Sequence, residues 1–239
     1  MTDMKVVTAS SKITLPSSAF IQDLRFVTSE LQPLFFGMTE VGSRRDEIKQ
    51  VFRGSGYEPV FFDHRDVFLA YHHRAGVRLV SASEKPAHGP GRGFPARSLC
   101  WAELDHEGLR LKAHVAHWLA HLNDSPARVV GHNAMTALAV QQMREPGVDI
   151  AVLLGDANEA DRPGTREDKL LGNMATQFRV GGVSTIYDEA GRHPSTFGRR
   201  PPIDMIAFRS ADHRIGVDRI SVHNVRSDHH FVETVLQVD

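Results

Sequence analysis

Residues 149–158 read Asp-Ile-Ala-Val-Leu-Leu-Gly-Asp-Ala-Asn (DIAVLLGDAN). The apolar run through Leu154 has the pattern of a strand buried on both faces. It passes directly into Gly155 and Asp156, so a carboxylate stands where a buried strand ends. A sheet holds such a residue in place more firmly than a loop does.

The arrangement recurs on either side. Residues 34–41 (LFFGMTEV) read as a strand that carries Glu40 at its end. Asp204 sits inside PIDMIAF, and Asp228 and His229 lie in RSDHH, directly before the terminal strand FVETVL. Between these points the spacing predicts further strands at 5–9, 59–63, 67–72, 76–82, 99–104, 109–116, 203–208 and 215–225. Helices are predicted at 22–32, with Leu24, Val27 and Leu31 on one stripe, at 44–53, and at 127–144, with Val130, Ala134, Leu138 and Met143 as its apolar face. Residues 86–95, rich in Gly and Pro, read as a loop, and 177–200 as loop-rich. Many strands, few helices and mixed order predict one domain over 1–239. Its class is α/β, with two sheets packed face to face and helices outside.

The chain has 239 residues, 41% hydrophobic and 24% charged, enough apolar material for a sizeable core. That balance argues against disorder. A single Cys, Cys100, excludes a disulfide scaffold and reads as a buried, inert thiol. A formal net charge of −1 excludes a whole-molecule basic field for nucleic acid, though not a local patch. No run is long enough for a transmembrane helix, and MTDMKVVTAS lacks a signal-peptide layout, so the expected location is cytoplasmic. His is abundant at 14, which directs attention to metal and proton-transfer sites.

Glu40, Asp156, Asn158 and Asp228 are hard oxygen ligands of the kind that suit Mg²⁺ or Mn²⁺. Such a metal polarises a phosphoryl oxygen and stabilises developing charge. His229 is placed to act as general base or phosphate donor, with Asp204 orienting its ring. Each of these residues alone reads equally well as a turn or cap residue. Their order along the chain is what carries the chemistry.

Taken together, TEVG (39–42), VAHWL (115–119), LLGDAN (153–158), PIDMI (202–206) and SDHH (227–230) resemble, in order, the motifs of the endonuclease/exonuclease/phosphatase superfamily, the DNase I-like fold. The resemblance spans roughly residues 5 to 238. It implies a four-layer α-β-β-α sandwich with a metal site at one edge, and a phosphoric ester hydrolase using Mg²⁺ or Mn²⁺. Glu40 and Asp228 then match metal ligands. Asp156 and Asn158 match the pair that positions water and contacts the scissile phosphate. His229 matches the catalytic histidine and Asp204 its partner. His117 matches a second histidine that contacts the phosphate, with His114 and His121 as neighbouring competitors. The chain departs from the family at Ser10, where an Asn is usual, and at Ala157, where an aromatic or leucine is usual.

The resemblance leaves the substrate open among several phosphoesters. Arg192, His193, Arg199 and Arg200 cluster before the Asp204 strand, and Arg92 and Arg97 flank the Gly/Pro loop. Such groups suit a nucleic-acid backbone, and equally a solvated basic loop beside Asp188 and Glu189. The expectation is a nuclease, with DNA favoured over RNA and no membrane substrate. Two alternatives stand beside it: a phosphatase or phosphodiesterase of small substrates, and a non-catalytic binding module.

Overall fold

The computed structural model describes residues 2–91, 94–120, 126–158, 168–191, 194–196 and 203–239. In chain order the elements are β1 (Thr2–Ser10), α1 (Ser17–Phe26) continued by a π-helical turn (Val27–Leu31), β2 (Phe35–Thr39), α2 (Arg45–Phe52), β3 (Tyr57–Phe61), β4 (Val67–His72) and β5 (Arg78–His88). Then follow β6 (Arg97–His106), β7 (Leu109–His117), α3 (Pro126–Met143), β8 (Ile150–Asp156), α4 (Asp168–Gly181), β9 (Ser184–Thr185) and α5 (Ile186–Ala190). The chain ends with β10 (Asp204–Ser210), β11 (Ile215–His223) and β12 (Phe231–Val238).

The strands form two mixed sheets of six, ordered β11-β12-β1-β2-β4-β3 and β5-β6-β7-β8-β10-β9. Each has a parallel pair at its centre, β1 with β2 and β7 with β8, flanked by antiparallel neighbours. Strand alternation sorts the side chains into layers. Met4 and Val6 of β1, Leu111, Ala113 and Val115 of β7, and Ile150, Val152 and Leu154 of β8 meet in the core between the sheets. Their alternates face outward. Val7, Ala9, Phe36 and Met38 pack under α1 and α2, with Phe20, Leu24, Val27, Leu31, Ile48 and Phe52. Ala151, Leu153 and Ala207 pack under α3 and α4, with Met135, Leu138, Met143, Met174 and Phe178. The result is the four-layer α/β sandwich expected from the sequence. No helix among the described residues is long and apolar enough to cross a membrane.

Several boundaries differ from the sequence expectation. The first helix begins at Ser17 rather than residue 22, immediately after Pro16. Its Leu24, Val27 and Leu31 are buried as expected. The strand at 78–88 runs into the Gly/Pro segment. The stretch read as loop-rich from 177 holds the end of α4, β9 and α5. In α3 Leu138 and Met143 are buried as expected, but Val130 is 67% exposed, and the buried face takes in Met135 and Ala139. Gly131 makes the close approach: a Cβ there would lie 2.8 Å from Leu119 Cδ1, so the helix approaches β7's continuation on its glycine side. Cys100 is fully buried and free, and burial pushes its thiol up.

Candidate active site

The inward faces of the strands are apolar until one edge of the sandwich, where they turn polar together. On β7 the sequence Leu111, Ala113, Val115 continues to His117, and on β8 Ile150, Val152, Leu154 continues to Asp156. Register sets these residues side by side: His117 pairs with Asp156 in the parallel β7–β8 ladder, and Asp156 with Asp204 in the antiparallel β8–β10 ladder. The alternation also separates the histidine candidates. His114 lies on the opposite face, fully buried, with Nδ1 3.1 Å from Val152 O. His121 falls outside the described residues.

Two histidine–aspartate pairs face Asp156. His229 Nδ1 lies 3.1 and 3.0 Å from the two oxygens of Asp204. His117 Nδ1 lies 2.5 Å from Asp66 Oδ2, and that same oxygen accepts from Arg97 Nη1 at 2.8 Å. The two rings present Nε2 to Asp156 Oδ2, each at 3.8 Å. That is beyond hydrogen-bond range, and Asp156 Oδ2 has no hydrogen-bond partner among the described residues. The other carboxylate oxygen accepts from Asn158 N at 2.7 Å. Glu40 Oε1 lies 3.7 Å from His117 Nε2.

The backbone at both ends of this cluster is held in unusual conformations. Glu40 and Asn158 have φ of 60° and 55°, in the left-handed region that non-glycine residues rarely adopt. Asn158 spends one amide N–H on Trp118 O at 3.0 Å, leaving its second N–H and its oxygen. Gly155 has φ of 151°, and a Cβ there would lie 1.9 Å from Ala116 O. Glycine at this position is what lets β7 and β8 close up and set His117 beside Asp156.

Burial and like charge shape the ionisation of the cluster. Asp156 is 1% exposed; burial and then the Asp204 charge push its carboxyl up to about 6, against the pull of His117 and His229. Burial likewise raises Asp204, although the His229 hydrogen bond opposes it. Burial disfavours the His229 cation, but the Asp204 hydrogen bond and the charges of Asp204, Asp156 and Asp228 outweigh it and lift the ring to about 9. Burial would raise Asp66, yet the His117 hydrogen bond and charge, with Arg97, hold it down to about 2.

The residues fit a divalent cation. One ligand atom from each of Glu40, His117 and Asp156 lies within 4.8 Å of the others, as do those of Asp156, Asp204 and His229. Asp156 belongs to both groups, and its unsatisfied, buried oxygen is a hard donor of the sort Mg²⁺ and Mn²⁺ take.

Of the residues singled out in the sequence, Glu40, His117, Asp156, Asp204 and His229 come together, with Asn158 beside Asp156. Asp228 does not join either group: its Oδ2 is 3.4 Å from Lys12 Nζ at the rim. Ser10 is fully buried and accepts from Thr39 Oγ1 at 2.9 Å. Arg97, expected to face a nucleic-acid backbone, is instead committed to Asp66 with its side chain 13% exposed. Arg92, Arg192, His193, Arg199 and Arg200 fall outside the described residues.

Two residues of the site escaped the sequence reading. Asp66 stands at the start of β4 rather than the end of a strand. β4 runs antiparallel to β2, with Thr39 opposite Val67, so its start lies at the same edge as the end of β2. A carboxylate before an apolar run was the available signal. Thr196 accepts from Ile203 N at 3.0 Å and Asp204 N at 3.1 Å, while its carbonyl accepts from His230 N at 2.8 Å. It ties the β10 and β12 approaches together, and no pattern in the sequence marks it. The loop bearing His229 is further held from α1: buried Asp23 accepts from Arg226 N at 3.1 Å and Nη1 at 3.2 Å. Ser227 Oγ accepts from Lys12 N at 3.1 Å.

No protein-family model matches this chain, and no curated protein matches it by sequence. Solved structures match it along its whole length. D. rerio TDP2, in complex with a single-strand DNA product, superposes with a TM-score of 0.79 at 14% identity, covering 99% of this chain and 100% of that one. An endonuclease/exonuclease/phosphatase from Bacteroides vulgatus gives 0.76 at 16% identity, with both chains fully covered. A mannosyl-6-phosphatase from Bacteroides thetaiotaomicron gives 0.68 at 16% identity, covering 98% of this chain and 99% of that one. At these identities the likeness is one of fold.

Proposed function

With a DNase I-like endonuclease/exonuclease/phosphatase fold as the premise, we propose that this chain is a metal-dependent phosphoric ester hydrolase that cleaves phosphodiesters of nucleic acid, DNA before RNA, by attack of water on phosphorus. The observation that carries the reading is Asp156 Oδ2: buried, without a hydrogen bond among the described residues, and 3.8 Å from Nε2 of two aspartate-paired histidines. Leaving such an oxygen unsatisfied costs roughly 1–3 kcal/mol, a cost a reacting centre accepts and a structural carboxylate avoids.

Glu40 and Asp156 would hold Mg²⁺ or Mn²⁺; Asp228, turned to Lys12 at the rim, stands outside both ligand groups. When bound, the ion supplies charge neutralisation at the phosphoryl oxygens. Asp156 orients and accepts a proton from the attacking water. His229, held by Asp204, presents Nε2 to the same centre and acts as a charged hydrogen-bond donor to the phosphate. His117, held by Asp66 and Arg97, supports the phosphate from the other side. Asn158 offers its remaining N–H to a non-bridging oxygen.

TDP2, bound to a DNA product, supports the nucleic-acid reading. The mannosyl-6-phosphatase supports a second reading, a hydrolase of small phosphoesters. The test is hydrolysis of bis-p-nitrophenyl phosphate and of plasmid DNA with Mg²⁺, Mn²⁺ or EDTA, by wild type and His229→Ala. Metal-dependent cleavage of both, lost by about 10²-fold or more in the variant, is expected. Cleavage of the small ester alone would move the assignment to the second reading. A variant with near-wild-type rate would overturn the site.

A further inference from the structure

A cavity of about 470 Å³ opens on the Glu40–His117 flank of the cluster, with His64, Arg65, Arg97, Ile13 and Pro95 among its walls. A volume of this order suits part of a small-molecule ligand. Its charges are unequally matched. Arg97 is neutralised by Asp66 at 2.8 Å. Arg65 is exposed and has no acidic partner among the described residues. Beside it, His64 is fixed by its backbone N–H, which donates to Glu84 Oε2 at 3.0 Å. Its ring Nε2 is buried and without a hydrogen bond among the described residues.

The cavity therefore offers two things on adjacent residues: a guanidinium with no ion pair and a ring nitrogen with no hydrogen bond among the described residues, beside the carboxylates of Glu40 and Asp66. Guanidinium matches phosphate geometry through paired N–H donors. A ligand oxygen at His64 Nε2 would remove the penalty of an unpaired buried nitrogen. Ile13 and Pro95 add apolar wall, suited to the carbon face of a sugar. Continuity with Glu40 and His117 makes the cavity an extension of the candidate active site.

We infer that this cavity binds a second phosphate of the substrate, next along from the phosphate under attack, with Arg65 and His64 as its ligands. The inference rests on the hydrolase reading given above. A neighbouring phosphate in a polynucleotide and the far phosphate of a nucleoside bisphosphate share this chemistry.

Calorimetry in EDTA, where metal-dependent turnover stops, reads the second phosphate by itself. Wild type should bind thymidine 3′,5′-bisphosphate at least about tenfold more tightly than thymidine 5′-monophosphate. Arg65→Ala and His64→Gln should bring the two ligands to similar affinities. Equal wild-type affinities, or an Arg65→Ala variant that weakens both ligands alike, would overturn the inference. Failure of wild type to hydrolyse bis-p-nitrophenyl phosphate with Mn²⁺ would instead overturn the hydrolase reading, and the binding ratio would still decide the cavity. A twelve-residue single-stranded DNA separates the sources. A KM raised about tenfold in Arg65→Ala assigns the polymer. An unchanged KM beside a lost bisphosphate preference assigns the small ligand.

Discussion

Asp156 stands at the centre of the candidate site, shared by both groups of potential metal ligands. Burial and the neighbouring Asp204 raise its carboxyl to about 6, so its ionised form is less stable in the fold than in the unfolded chain. With a folded value above the unfolded one, the associated stability is present below about 3.8 and lost as pH rises through about 6. At pH 7.5 the metal-free protein therefore carries a penalty. Asp156→Asn should remove it, keep the Asn158 N–H bond, and raise the melting temperature in EDTA by roughly 5 °C, for about 2 kcal/mol. Mn²⁺ should raise the melting temperature of wild type and leave the variant unmoved. A variant that melts lower in EDTA, or that still responds to Mn²⁺, would show that this carboxylate is a structural anchor.

At the scale of elements, the β7–β8 pair decides whether the site exists. Ala116 and Gly155 are partners in this parallel ladder, one residue before His117 and Asp156. A methyl group at Gly155 would collide with Ala116 O, and its φ of 151° suits glycine alone. Gly155→Ala should destabilise the protein by about 3 kcal/mol in urea unfolding. A loss below about 1 kcal/mol would mean the ladder can shift to accept the methyl group. The elements also explain what the sequence concealed. Glu40 and Asp156 stand at the ends of apolar runs and could be found by reading forward. Asp66 stands before its strand, and only the antiparallel pairing of β4 with β2 brings it to the same edge. In α3 the period correctly marks Leu138 and Met143 as buried, but Val130 is exposed, and Gly131, which carries no side chain, makes the close approach in its place.

At the scale of the whole molecule, the layer between the second sheet and its helices holds two buried histidines among the described residues, His114 and His132. Burial lowers His114 to about 3 and His132 to about 4, with Val152 O and Ala157 O as their partners. Their folded values lie below the ordinary 6.5. The stability they confer is thus fully present above pH 6.5 and lost as pH falls toward 4, where the unfolded chain takes up protons that the fold refuses. Asp156 works in the opposite direction over part of this range. In the Asp156→Asn background, stability should fall between pH 6.5 and 5 by up to roughly 1.4 kcal/mol per pH unit for each histidine. NMR of the two rings at pH 5 should still report neutral imidazole. Protonated rings at that pH would mean that water reaches this layer.

The sequence by itself indicated the class of fold and marked Glu40, Asp156, Asp204 and His229 as polar residues at strand edges, while His117 was singled out only through the family resemblance. Period-two alternation and unbroken apolar runs dictate which strands are buried, and polar residues that interrupt such runs at their ends mark an edge. Tertiary structure alone decided which partners those residues meet. Asp66 is 51 residues from His117, and Asp204 is 25 from His229. It also decided that Arg97 serves Asp66, that Asp228 turns to Lys12, and that His64 and Arg65 share a cavity with Glu40 and His117. The physical reason is that strand period is a local property of the chain, whereas pairing and charge neutralisation depend on which strands become neighbours and in which register.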